Sequence, residues 1–279
     1  MKVENNLLTD DPRIQPYVPA PRGWLNSITI NPEFLVEHYT ATISLADAFA
    51  SAYFAHIYID ELGLIYQKVP LDKWAAHAGT SEWGGRKDLN KFSHGIEHVN
   101  YGWVYKNWKN GKFGRSWIDQ NNIEHWIYVP TDRVLDSPHR LEKAKRYFET
   151  YSEKQLQSSW DVTRCLNDNY HYIDIVGHED VCLKIDPGPA YPLKEFKNRV
   201  YGNEVGKLFT VNRWWTGSGI GTGGVSLKWL PYSWSVSKVW CPVNTIVRKL
   251  EWSGRWVKVL REDNGKDGWI EEKYLRRIL

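Results

Sequence analysis

The chain has little cysteine. Cys165, Cys182 and Cys241 are scattered over 279 residues, too few and too far apart for a disulfide framework, so folding does not require an oxidising compartment. Long apolar runs are also missing. The opening Met-Lys-Val-Glu-Asn-Asn-Leu-Leu contains no continuous hydrophobic region of the kind a signal peptide needs, and no later segment is long enough to span a bilayer. The chain is therefore expected to be made in the cytoplasm without a signal peptide and not to insert into membranes. Charge of one sign is not in excess either: 36 basic against 33 acidic residues leave +3, which makes no case for nucleic acid as a partner. No internal repeat, no His-Glu-x-x-His zinc-protease motif and no convincing nucleophilic Ser or Cys triad is present.

Tryptophan, by contrast, is abundant. Sixteen Trp could supply the broad amphipathic contacts that sugar-binding proteins use, although core packing accounts for most of them more simply. Residues 1 to about 200 alternate strand-like and helix-like segments, the pattern of an α/β layer fold. Ser44 with Asp47 opens a helix expected to run to about Phe54. Ala55 to Tyr66, broken at Glu61-Leu62-Gly63, reads as a hairpin. Ser137-Pro138 is a cap pair for a helix ending near Tyr151, and Ser152 with Gln155 is a capping box for the next. Gly217, Gly219, Gly221, Gly223 and Gly224 then cluster with Ser and Thr, as in a linker. Beyond them, Thr245 to Leu250, Trp256 to Leu260 and Gly268 to Ile270 are short strand-like runs of a small β-barrel.

One stretch concentrates chemistry. Gly177-His178-Glu179-Asp180 and Lys184-Ile185-Asp186-Pro187-Gly188-Pro189 put a His, a Lys and an Asp on one loop after the apolar run Tyr172 to Val176. His38, in Phe34-Leu35-Val36-Glu37-His38-Tyr39-Thr40, ends a second apolar, strand-like run. Two imidazoles and one carboxylate, with a fourth position left for water, form the ligand set of a catalytic zinc rather than a structural one. Cys182 lies between two of these residues as a competing soft ligand, and is read as a small packing residue.

Taken in order, Val36-Glu37-His38-Tyr39-Thr40-Ala41, Ala55-His56-Ile57-Tyr58-Ile59, Trp74-Ala75-Ala76-His77-Ala78-Gly79, Gly95-Ile96-Glu97 and Gly177-His178 through Pro189 resemble the zinc-dependent N-acetylmuramoyl-L-alanine amidases of the type-2 amidase and peptidoglycan-recognition superfamily. The tail, through Ser253-Gly254-Arg255-Trp256-Val257-Lys258-Val259 and Gly268-Trp269-Ile270, resembles a bacterial SH3-like domain. The resemblance implies an α/β fold with a central mixed β-sheet flanked by helices and a zinc groove, followed by a small all-β SH3-like barrel. The expected domains are 1–202, catalytic with an N-terminal extension, 203–224, a Gly-rich linker or loop, and 225–279, cell-wall-binding.

The implied activity is hydrolysis of the amide between N-acetylmuramic acid and the L-alanine of the peptidoglycan stem peptide by zinc-activated water. His38, His178 and Asp186 become the zinc ligands. Glu97 becomes the residue that takes a proton from the attacking water and passes it to the leaving nitrogen, and Lys184 the charge that steadies the oxyanion. His77 is a candidate substrate contact, Arg86 and Asn100 are candidates for the groove wall, and His56 reads equally as a buried core residue. Alternatives are a non-catalytic peptidoglycan-binding receptor on the same fold and a zinc peptidase cutting within stem peptides. Reaching the wall or periplasm without a signal peptide would need a holin or a dedicated secretion system. An endolysin, an injected effector with an immunity or delivery protein as partner, and a cytosolic recycling enzyme all satisfy that constraint. The family commonly has Ile where this chain has His94, and the insert from Tyr101 to Tyr128 has no counterpart in it.

Overall fold

The runs Phe34-Leu35-Val36, Ile57-Tyr58-Ile59 and Ile175-Val176 are short, continuous and apolar, as strands covered on both faces must be. In the computed structural model they belong to one five-stranded sheet, in the order Asp174–Gly177, Phe34–Tyr39, Ser93–His98, Ile57–Ile59, Ile65–Gln67. The first three pairings are parallel and the last is antiparallel, so the sheet is mixed. The structure describes residues 1–19, 28–51, 53–201, 208–211, 224–228, 231, 237–253 and 256–277.

The chain forms two units. Met1–Gly79 with Asn90–Phe196 make the first, and Thr80–Leu89 with Lys197–Leu279 the second. In the first unit, the helix Glu153–Tyr170 covers one face of the sheet. Ser152 caps it by accepting the Gln155 N–H at 3.1 Å, and His171, at φ 51°, ends it in the left-handed region. Its buried positions Gln155, Ser158, Ser159, Val162, Thr163 and Leu166 recur at helical spacing and form the stripe toward the sheet. The Gln155 amide donates to the carbonyls of Ile59 (2.9 Å) and Val99 (3.2 Å), joining the helix to two strand ends.

The expected hairpin forms between Ile57–Ile59 and Ile65–Gln67. Gly63 turns it at φ +79°, and a Cβ there would lie 2.7 Å from the Lys154 carbonyl oxygen, so both conformation and space require glycine. The helix opened by Ser44 is shorter than expected and ends at Ala50.

The helix expected from Ser137 to Tyr151 does not form. Val134–Asp136 and Tyr147–Glu149 pair as antiparallel strands, and the Ser137 N–H bonds the Arg146 carbonyl at 2.9 Å. These strands join a second, all-antiparallel sheet ordered Glu124–Val129, Phe113–Ile118, Trp103–Lys106, Tyr147–Glu149, Val134–Asp136. The Ser-Pro cap signal is local, whereas pairing buries Phe148 completely against neighbours distant in sequence; tertiary context wins. The 101–128 insert supplies three of these strands in whole or part.

The second unit is mostly strand, with one seven-stranded sheet ordered Ser237–Pro242, Gly224–Lys228, Asp267–Glu271, Trp256–Arg261, Ile246–Ser253, Leu208–Val211, Leu275–Arg277. Val211, Leu227, Cys241, Val247, Val257, Val259, Ile270 and Leu275 form its core. Leu208–Val211 lies inside the segment 203–224 expected to act as a linker, and it pairs with two strands of this sheet. The Gly-rich run Gly217 to Gly223 lies outside the described residues.

Candidate metal centre and active site

Alternation along Phe34–Tyr39 separates two neighbouring polar residues. Glu37 faces the long helix, where the Thr163 hydroxyl donates to its carboxylate at 3.3 Å. His38 faces the other side. The parallel register sets Glu97 opposite His38 and Tyr58 opposite Glu97, so the candidate ligand and the candidate general base are lateral neighbours on one face. His98, next along its strand, turns back to the helix side: its Nε2 lies 2.9 Å from Ser159 Oγ, and its Nδ1–H donates to the His38 carbonyl at 2.8 Å.

His178 follows the strand Asp174–Gly177 directly and begins the four-residue helix His178–Val181. Its Nδ1 lies 2.9 Å from Asp186 Oδ2, and His38 Nδ1 lies 3.0 Å from the same oxygen. The ligating atoms of these three buried residues all fall within 4.8 Å of one another. Their loop is anchored at several points. The Glu179 N–H donates to the Asp186 carbonyl at 2.8 Å, the Gly177 N–H to Asp180 Oδ2 at 2.8 Å, and the Tyr151 hydroxyl to the Pro187 carbonyl at 2.8 Å. His139 pairs with Glu179, and Arg140 with both Glu179 and Asp180. A Cβ on Gly177 would sit 2.7 Å from Pro187 Cδ, so glycine is needed for the two ends of the loop to approach.

The electrostatics are asymmetric. Burial, then the His178 charge, pulls His38 down to about 4. Burial opposes protonation of His178 too, but hydrogen bonding to Asp186 and Cys182 carries it up to about 10. Asp186 is held far below the ordinary carboxylate range: burial works against this, and the two histidines overcome it. Two imidazole nitrogens converging on one buried carboxylate oxygen form a donor set that fits zinc in both chemistry and compactness.

Glu97 is half-buried, its Oε2 is sealed from solvent with no hydrogen-bond partner, and burial followed by the Asp186 charge raises it to about 8. A carboxyl poised near neutral pH beside a metal site is suited to proton transfer. Lys184 is exposed, and its charge is felt at His38. His77 is brought to the ligands, with Nδ1 3.0 Å from His38 Nε2. Asn100 is buried and serves the backbone: its Oδ1 accepts the Gly102 N–H at 2.6 Å and its Nδ2 donates to the Thr150 carbonyl at 3.2 Å. Arg86 lies on the strand Arg86–Lys87, within the second unit. His56 is a buried core residue that donates from Nε2 to the Lys73 carbonyl at 2.8 Å. Sequence reasoning passed over Asn90, whose Oδ1 accepts the N–H groups of His77 (3.0 Å) and Ala78 (2.7 Å), because a lone Asn outside any motif gives no signal.

The family profile described as N-acetylmuramoyl-L-alanine amidase matches residues 29–189, which contain His38, His178 and Asp186. The chain belongs to that family. The family's 1,6-anhydro-N-acetylmuramyl-L-alanine amidase AmpD of Escherichia coli (strain K12) is 31% identical over 147 residues, 51% of this chain and 56% of that protein. The chain thus spans about half the length of the curated relative it matches. Among solved structures, the E. coli amidase AmiD, in complex with the substrate anhydro-N-acetylmuramic acid-L-Ala-D-gamma-Glu-L-Lys, is 23% identical over 61% of this chain and 58% of its own, with a TM-score of 0.43. A selenomethionine derivative of AmpD is 24% identical over 72% of this chain and 99% of its own, also at 0.43. Among the described residues, no helix is long and apolar enough to cross a membrane.

Proposed function

We propose that this family member hydrolyses the amide between N-acetylmuramic acid and L-alanine in peptidoglycan or its fragments, in a zinc groove on the sheet face that carries His38 and Glu97. The convergence of His38 Nδ1 and His178 Nδ1 on Asp186 Oδ2, at 3.0 and 2.9 Å, carries this reading. Zinc held by these three residues would supply a Lewis acid for the scissile carbonyl and lower the pKa of an attacking water. Glu97 accepts the water proton and delivers it to the departing nitrogen, a task that its sealed, unpartnered oxygen and raised pKa favour. Lys184, on a flexible stem from an exposed loop position, brings positive charge to the oxygen that becomes negative.

The second unit is read as an SH3-like module that holds the chain on the wall. Peptidoglycan of the periplasm or cell wall is read as its target. Mass spectrometry of muropeptides digested before and after chelation tests the activity. Release of the intact stem peptide from the muramic acid, lost with metal and restored by zinc, is the expected result; cleavage within the stem, or full activity in protein shown by elemental analysis to be metal-free, would refute it. His178→Ala should lose both zinc and turnover.

A further inference from the structure

We propose that His77 is a positioning residue for the metal ligand His38, accepting its Nε2–H so that Nδ1 is the nitrogen left free to bind. The inference rests on the metal-centre reading above. A neutral imidazole has one N–H and one lone pair. His38 Nδ1 is the nitrogen that converges with His178 on Asp186, so a metal there requires the His38 proton to sit on Nε2. That atom lies 3.0 Å from His77 Nδ1. His77 must then carry its own proton on Nε2, and this nitrogen lies 3.4 Å from Ser93 Oγ. With His38 Nδ1 committed to a metal, the protons are ordered in one direction: His38 donates to His77, and His77 donates to Ser93.

His77 is built to hold this position. Asn90 Oδ1 takes the backbone N–H groups of both His77 and Ala78, at 3.0 and 2.7 Å, and so fixes the loop. The ring rests over Gly95, where a Cβ would lie 2.6 Å from His77 Cγ and Nδ1. With 6% of its surface exposed and both ring nitrogens engaged, it is suited to orienting the ligand rather than to touching substrate. Hydrogen-bonded partners of metal-binding histidines typically contribute about 10- to 100-fold in metal affinity.

Zinc affinity, measured by competition with a chromophoric chelator, is the test. His77→Phe keeps the ring shape but removes the acceptor, and about a 10- to 100-fold loss is expected. His77→Asn puts an amide oxygen near the Nδ1 position and should recover most of that loss. Phe at wild-type affinity would overturn the proposal, as would an equal loss in both variants. Wild-type protein that binds no zinc would overturn the metal centre itself, and the inference with it. Independently of any variant, ring 15N shifts of the zinc-loaded wild type should show His38 and His77 both protonated on Nε2. A His77 proton on Nδ1 would sink the proposal even if the Phe variant failed to fold.

Discussion

At the scale of single residues, the proposed roles separate groups that bind from groups that transfer protons. Glu97 sits beside His38 in register but is not among the residues whose ligating atoms cluster. Glu97→Gln should therefore keep zinc while turnover falls by about a hundredfold or more, as expected for a missing general base. Lys184→Ala should likewise keep zinc and lose rate in the same range if its charge meets the developing oxyanion. Steady-state kinetics with metal analysis on the same preparations decides both, and a near-wild-type rate would return either residue to an ordinary solvent role. His77 shows how a motif residue can be found without its task being understood. The His-Ala-Gly pattern marked it, whereas its partner, His38, is 39 positions away and became visible only in the folded chain.

Individual elements add requirements that no one side chain carries. The strand Ser93–His98 alternates between the helix side, through His94, Ile96 and His98, and the site side, through Ser93, Gly95 and Glu97. Gly95→Ala would push a methyl group into the His77 ring, and the closeness of the clash predicts a destabilisation of about 1–3 kcal/mol. Zinc affinity should fall with it, because the ring cannot move without lengthening its contact with His38; chelator competition and thermal unfolding read the two effects together.

A second element-scale case is the buried triad in the second unit. Glu272 Oε1 lies 3.2 Å from Lys197 Nζ and 3.3 Å from Lys249 Nζ, all three side chains being nearly sealed. Burial opposes ionisation of Glu272, yet the two lysines hold its pKa below the ordinary 4.5. Its stabilising contribution is thus present above pH 4.5 and is lost as pH falls through the lower folded value. Glu272→Gln, which removes the carboxylate shared by two buried ammonium groups, should cost about 3 kcal/mol at neutral pH and flatten the acid limb of a stability–pH curve recorded by denaturant titration. An unchanged acid limb would show that the triad does not set it.

At the scale of the molecule, the two units are interleaved in sequence. Thr80–Leu89, which joins Gly79 of the His-Ala-Gly loop to Asn90, folds with the second unit, whose remaining residues begin at Lys197. Truncation near Gly202, which a plain linker would render harmless to small substrates, should instead reduce cleavage of a soluble muropeptide as well as of sacculi. If the second unit binds the wall, the loss on sacculi should be larger, since its removal also removes its effect on local concentration. Unchanged turnover on the soluble substrate would restore the independent-tail picture.

The sequence alone determined what depends on residue type and short spacing. Buried strands were visible as apolar runs, Ser44 and Ser152 as helix caps, and the residues His38, His178 and Asp186 that come together in the fold through their motifs. These signals survive because each is contained in a few adjacent residues. Only the tertiary structure decided what depends on residues distant in the chain. Ser137 to Tyr151 became part of a strand pair because sheet pairing outweighed a local cap. Asn100 turned inward onto Gly102 and Thr150, and Asn90 came to hold His77. Leu208–Val211 joined a sheet from within an expected linker. In each case the deciding contacts are hydrogen bonds or packing that no local pattern encodes.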